Sequence, residues 1–217
     1  MLPRILEPEV MDTPTEATDY DDMDHSEVNR QFVDDLIDAG IAGDILDLGT
    51  GTARIPLELC HRVESCRVMA IDLSISMLEL ARYNVEMAGL SQRVSLDHAD
   101  GKDLLYEGGR FDAVISNSIV HHVPEPGDVV REALRVTRSG GLIFFRDLIR
   151  PADLAQLEQL VTTYAGQEDE AQQKMFRDSL HAALTVDEVG ELVQTLGHDP
   201  AEVIATSDRH WTWKTRV

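Results

Sequence analysis

Three aspartates and a pair of glycines stand at intervals that a nucleoside-binding sheet would use. The stretch ILDLGTGTARIPLEL, from Ile45 to Leu59, sets Gly49 and Gly51 two apart directly behind an apolar run. Glycines there let the backbone turn sharply and approach a ligand closely. Asp72 closes a second apolar run, RVMAIDL, 23 residues after Gly49. That separation suits a carboxylate accepting hydrogen bonds from two ribose hydroxyls. Asp100 and Asn117 end two further runs. Glycine spacing alone leaves nicotinamide, flavin, nucleotide and S-adenosylmethionine ligands open. Gly49-Thr50-Gly51-Thr52-Ala53-Arg54 lacks the last glycine of G-x-G-x-x-G, and Asp47 stands two residues before the first glycine. An acid in that place suits a cationic ammonium group better than a phosphate, so charge complementarity favours a positively charged nucleoside ligand.

Two other groups carry titratable side chains. His121 and His122 follow the fourth apolar run, and Asp147 and Arg150 lie in FFRDLIRP after the fifth. A histidine titrates near neutrality and can take a proton from a substrate or hold a structural hydrogen bond. Neighbouring residues on a helix or turn point different ways, so at most one of the pair is expected to face a substrate. Asp147 and Arg150 either face the cleft or pair with each other at the surface. Cys60 and Cys66, the only cysteines, have no companion histidines at ligand spacing, and they read as a small buried residue and a loop thiol. No metal site is expected.

These residues need strands that end where the chemistry is. The apolar runs at 44–49, 67–73, 93–99, 111–117 and 141–148 read as strands. Helical patterns fill the gaps at about 53–62, at 76–88 behind a capping box of Ser76 and Glu79, and at 128–138. Residues 151–164 and 167–180 look like two helices with no strand between them, and Thr185 and Glu188 cap a third over 185–196. AEVIATSDRHWTWKTR reads as two strands joined by a turn at 207–209. Strand and helix alternation of this kind requires a mainly parallel sheet covered on both faces. The first 30 residues are acidic, with prolines at 3, 8 and 14, and read as an arm or loop. Val28, Phe32, Leu36 and Ile37 then fall near helical spacing before Gly40.

At 217 residues the chain suits one core. It carries 40 acidic and 19 basic residues, a formal charge of −21. Such a field disfavours nucleic-acid substrates. With no run of about 18 apolar residues and no leader-like opening, a cytoplasmic protein without membrane association is expected.

Four stretches in order resemble the class I S-adenosylmethionine-dependent methyltransferases, especially the small-molecule group similar to ubiquinone and menaquinone methyltransferases. ILDLGTGTA resembles the first family motif, and IDLSISMLELA matches D-x-S-x-x-M-L-x-x-A. HADGKDL looks like the adenine-contacting turn. FDAVISNSIVHHV with LRVTRSGGLIFF is similar to the fourth strand and the entry to the fifth. The resemblance spans about Ile45 to Phe145, and Ser139 departs from the proline often found before Gly-Gly.

The resemblance implies an α/β, Rossmann-like, doubly wound and mainly parallel seven-stranded sheet with an antiparallel C-terminal hairpin strand. It implies S-adenosyl-L-methionine as cofactor. Asp47, Gly49, Thr50 and Gly51 would line the methionine portion and Asp72 the ribose. Leu73 and Met77 would pack on the adenine faces, with Asp100 and the Gly101 amide at its edge, and Asn117 near the sulfonium. Residues 1–40 would form an acidic arm and helix acting as a lid, through Tyr20, Asp24 and His25. Residues 41–217 would form one domain, with a helical substrate cover at about 151–181. His121, His122 and Asp147 are the catalytic candidates, and a small molecule is the expected methyl acceptor. A non-catalytic module that binds the cofactor and acts through a protein partner is the competing reading. The terminal hairpin offers an edge for a homo-oligomer, unless Trp211 and Trp213 pack into the core.

Overall fold

In the computed structural model, which describes residues 2–7, 12–23 and 26–217, seven strands share one sheet. They are β1 (Asp44–Leu48), β2 (Arg67–Asp72), β3 (Val94–His98), β4 (Phe111–Asn117), β5 (Thr137–Leu148), β6 (Val203–Ala205) and β7 (His210–Arg216). Their order is β3-β2-β1-β4-β5-β7-β6. β1 pairs in parallel with both β2 and β4, β2 pairs in parallel with β3, and β6 and β7 run antiparallel. The fold is the expected doubly wound sheet with its C-terminal hairpin. Strand order reverses beside β1, so the carboxyl ends of β1 and β4 flank the point where such sheets bind ligands. β1 and β4 are apolar along most of their length because they are buried.

The described residues form eight α-helices: α1 (Pro14–Asp22), α2 (Ser26–Asp38), α3 (Arg54–Arg62), α4 (Ile75–Met87), α5 (Pro126–Val136), α6 (Leu154–Ala165), α7 (Glu170–Ala182) and α8 (Val186–Thr195). None is long and apolar enough to cross a membrane.

The chain groups into two compact units, each assembled from separated stretches of sequence. The first comprises 10–117, 128–144 and 215–217. Its core joins Phe32, Val33 and Leu36 of α2 to Ile45, Val68, Ala113 and Phe144 of the strands. Phe32 meets Phe144 edge to face at 5.3 Å, the arrangement that ring quadrupoles favour. Cys60 and Cys66 both lie in this core, so Cys66 is a buried residue and not an accessible loop thiol.

Three local readings are corrected in this unit. Helix α1 forms where an arm was expected. Its sequence, PTEATDYDD, has no apolar stripe to announce it, and Ala17 is fully buried. The α4 cap is Ser74, which accepts the Met77 amide at 3.1 Å, and not Ser76. β5 begins at Thr137 because Gly140 and Gly141 bend the strand rather than open it. Gly140 has φ +76°, and a β-carbon on Gly141 would lie 2.9 Å from the Asp112 carbonyl oxygen.

The second unit comprises 1–9, 118–127 and 145–214. Leu157, Leu160 and Val161 of α6 pack with Leu148 and with Leu180 of α7, and Leu2 joins them. The predicted capping box on α8 is present, with the Thr185 side chain accepting the Glu188 amide and the Glu188 side chain accepting that of Thr185. Trp211 and Trp213 are 1% and 0% exposed, and Trp213 meets Phe145 edge to face at 5.9 Å.

Candidate active site

The turn after β1 is built from left-handed backbone. Gly49 has φ +68°, Gly51 φ +55°, and Ala53, the residue before α3, φ +64°. The first two are conformations that glycine adopts without strain. The turn is tied to β2 by two bonds: the Thr50 amide donates to the Ile71 carbonyl at 2.8 Å, and the Gly51 amide donates to Asp72 Oδ2 at 2.8 Å. Asp72 Oδ1 accepts the Ser74 amide, also at 2.8 Å. An ionised carboxylate offers about four lone-pair sites. Two backbone amides therefore orient the group and leave acceptor capacity for ligand hydroxyls. Burial raises the Asp72 pKa, and the amides of Ser74 and Gly51 oppose that rise.

Asp47 lies inside β1 and is 2% exposed. Burial, reinforced by the charge of Asp72, pushes its pKa up to about 7, and Thr50 opposes the shift. No cation pairs with it among the described residues. An acid so placed is destabilised as an anion until a positive group arrives.

Tyr20, on α1, stands over this turn. A β-carbon on Gly51 would lie 3.6 Å from Tyr20 Cε1. Burial, then the charges of Asp72, Asp21 and Asp47, raise the tyrosine hydroxyl to about 12. Helix α1 is held there by the Arg54 guanidinium, which grips Asp21 through two bonds of 3.0 and 2.7 Å. Asp12 reinforces the anchorage by accepting from the Ser74 hydroxyl at 3.2 Å and the Ser76 amide at 3.3 Å. Asp24 and His25, the other expected lid residues, lie outside the described residues. The anchors Asp12, Asp21 and Arg54 were not singled out from sequence. A bidentate arginine–aspartate pair 33 residues apart leaves no local pattern to find.

A cavity of about 800 Å³ opens beside the turn, lined by Tyr20, Asp47, Gly49, Thr50 and Asn117 among others. Five of the predicted cofactor residues thus share one cavity; Gly51 and Asp72 do not line it, but Gly51 follows Thr50 in the turn and donates its amide to Asp72. Leu73, Met77, Asp100 and Gly101 do not line it. They follow the ends of β2 and β3, where Asp72 pairs with His98 and the Ala99 amide donates to the Asp72 carbonyl at 3.2 Å. Met77 is 4% exposed. Asp100 Oδ1 accepts the Lys102 amide at 2.9 Å and pairs with the Lys102 ammonium at 3.2 Å, so it caps the turn that carries Gly101. A β-carbon on Gly101 would meet only Val129, at 3.8 Å.

The cradle fits S-adenosylmethionine on its own terms: left-handed glycines that keep the backbone bare, an oriented carboxylate with acceptor sites to spare, and a buried acid lacking a cation.

The catalytic candidates lie in the other unit, and the structure corrects two expectations there. Asp147 is inside β5 and 0% exposed. Its Oδ2 accepts the amides of Val120 at 2.5 Å and His121 at 3.2 Å. Its Oδ1 meets His121 Nδ1 at 2.5 Å and the Leu148 amide at 2.6 Å. Despite burial, the His121 charge and hydrogen bond hold Asp147 below the usual carboxylate range. Asp147 therefore does not pair with Arg150, which is itself buried and bonds Glu188 at 2.5 Å and the Ala183 carbonyl at 3.0 Å. His121 and His122 do not diverge. They share a 3-10 turn over Val120–His122, their ring centroids are 4.2 Å apart and tilted by 33°, and both reach Glu7. Glu7, in a segment read as solvated arm, was missed.

Comparison with known proteins agrees with this geometry. Residues 46–145 match the family described as methyltransferase domain. The chain is 41% identical over 100 residues to the phosphatidylethanolamine N-methyltransferase of Cereibacter sphaeroides, covering 46% of this chain and 47% of that protein. It is 31% identical over 118 residues to the 27-O-demethylrifamycin SV methyltransferase of Amycolatopsis mediterranei, covering 54% and 43%. The chain spans about half the length of the curated relatives it matches. A SAM-dependent methyltransferase from Aquifex aeolicus shares the fold with a TM-score of 0.67 at 17% identity, over 93% of this chain and 97% of that one. Residues 46–145 thus form a methyltransferase domain, and with the glycine turn, Asp72 and the sheet order in place the chain is similar to the class I S-adenosylmethionine-dependent methyltransferases.

Proposed function

We propose that this protein transfers a methyl group from S-adenosylmethionine to a small-molecule acceptor. The observation that carries this reading is the Asp72 carboxylate, held by the Gly51 and Ser74 amides with acceptor sites left over, beside a buried Asp47 that has no cation. Bound there, the cofactor supplies an electrophilic methyl carbon on a sulfonium. The protein's residues then bind and orient. Asp72 receives the ribose hydroxyls, Asp47 offsets the ammonium, the bare backbone at Gly49 and Gly51 admits the methionine portion, and Tyr20 closes over it. Leu73 and Met77 are assigned to the adenine faces, Asp100 and Gly101 to its edge, and Asn117 to the sulfonium end. Holding an activated methyl group in line with its acceptor accounts for most of what such a transfer needs.

The small-molecule class is supported by relatives named for phosphatidylethanolamine in one case and 27-O-demethylrifamycin SV in the other, and by a charge of −21 that disfavours nucleic acid. A cytoplasmic setting fits the same reading. Asp147 is assigned as a positioning residue for His121, since it is fully enclosed and its oxygens are all engaged. Isothermal titration of the whole chain with S-adenosylhomocysteine tests the proposal. Saturable one-to-one binding is expected, and absence of heat with both it and S-adenosylmethionine would overturn it.

A further inference from the structure

Residues 2–7 are stitched to their own unit by Arg4. Its guanidinium donates to the carbonyls of Ala182 at 2.7 Å, Val123 at 3.0 Å and His121 at 3.2 Å, and the Ile5 amide donates to the His181 carbonyl at 3.1 Å. This strap delivers Glu7 to the two stacked histidines. Glu7 Oε1 lies 3.4 Å from His121 Nε2 and 3.3 Å from His122 Nδ1, and the three ligand atoms lie within 4.8 Å of one another.

Those distances discriminate between two arrangements. A charge-assisted hydrogen bond between imidazole and carboxylate closes to about 2.7–2.9 Å. The Asp147–His121 contact behaves this way, at 2.5 Å. The Glu7 contacts stay open, and Glu7 Oε1 is buried without any hydrogen bond. Its other oxygen has only a long contact, 3.5 Å from the Ser179 hydroxyl. By contrast, donors bound at about 2.0–2.1 Å around one tetrahedral ion stand about 3.3–3.4 Å apart. The open spacing is that of ligands around an ion.

We propose that Glu7, His121 and His122 form a binding site for a divalent transition-metal ion of the zinc class. Two imidazoles with one carboxylate select such ions over magnesium or calcium, which prefer all-oxygen sets. Asp147 supplies the outer partner such a site uses. It bonds the far ring nitrogen of His121, fixes the tautomer and aims Nε2 at the ion. The two amides it also accepts, from Val120 and His121, hold the turn that carries both histidines. Three protein ligands leave a fourth position for water or another small ligand.

The test uses the whole chain, stripped with chelator and titrated with zinc chloride by calorimetry, and with cobalt(II) chloride followed by visible absorption. One equivalent of zinc is expected, unaffected by excess magnesium, with cobalt giving the intense visible bands of a low-coordinate nitrogen and oxygen site. Glu7→Gln and His122→Ala should each lose this equivalent, and Asp147→Asn should weaken it by about 10- to 100-fold. Failure of the parent protein to bind zinc at micromolar concentration would overturn the proposal. So would an equivalent that survives both ligand substitutions, or one that magnesium displaces, since either places the ion on the acidic surface. Should a variant not fold by circular dichroism, the cobalt spectrum of the parent protein decides: octahedral, weakly absorbing cobalt refutes the site. S-adenosylhomocysteine binding is read separately, so this result stands apart from the methyltransferase reading.

Discussion

Asp72 accepts the Gly51 amide at 2.8 Å, so the end of one strand holds the turn that follows its neighbour. The ribose acceptor and the glycine cradle are thereby one mechanical piece. Asp72→Ala should weaken S-adenosylhomocysteine binding about tenfold or more, the loss expected for a charged hydrogen-bond acceptor. Calorimetry would detect it, and near-parental affinity in a folded variant would remove the ribose assignment.

Asp47 makes cofactor binding sensitive to pH. With its pKa pushed up to about 7 by burial and by Asp72, the side chain is protonated below that value. In the free protein the raised pKa stabilises the fold at low pH, and this contribution fades as pH rises from about 4 to about 7. An ammonium group prefers the ionised form. Affinity should therefore rise from about pH 5 to about 7 with proton release, and Asp47→Asn should flatten the profile. A parental profile that is already flat would place the ammonium elsewhere. Tyr20, the other titratable group over the turn besides Asp72, stays neutral across this range.

Gly51→Ala separates backbone from contact. The new β-carbon would sit at an ordinary 3.6 Å from Tyr20, so the cost lies in the left-handed φ of +55°, about 1–2 kcal/mol. Denaturant midpoints should fall accordingly. An unchanged midpoint would mean that the turn relaxes out of the left-handed region.

Phe32 anchors α2 in the first unit. It is 1% exposed and stacks edge to face on Phe144, so Phe32→Ala should destabilise by about 3–5 kcal/mol. Urea unfolding measures this, and a loss below about 1 kcal/mol would show the helix to be dispensable to the core.

His210 should make the fold acid-labile. Burial, then the charges of Arg209 and Arg146, lower its pKa to about 4, against smaller raising effects of Asp147 and Asp208. The unfolded chain takes up a proton near pH 6.5 and the folded one does not. Stability is therefore intact above that value and declines as pH falls toward about 4. His210→Gln should reduce this decline in thermal melts, and an identical pH dependence in both proteins would refute it.

Sequence carried the parts of the site that obey local rules. Alternating apolar runs located all seven strands, and a strand ending in aspartate marked Asp72. Periodicity and spacing act over a few residues. Helix α1 escaped because its acidic sequence has no apolar stripe, and its hold on the turn depends on Arg54, 33 residues beyond Asp21. Glu7 escaped for the same reason on a larger scale: its neighbours are more than a hundred residues away. The surroundings of His121 and Asp147 escaped because the carboxylate takes the Val120 and His121 amides and the His121 ring from 26 or 27 residues away, beyond the reach of any local pattern.

The Arg4 strap has a temporal consequence. Its bond to the Ala182 carbonyl spans 178 residues, so the strap's docking site does not exist until α7 has been synthesised and folded. Loop closure over that separation is entropically costly, and contacts of such range form late. Residues 2–7 are then fixed in place late, and Glu7 reaches the histidines only after α7 has folded.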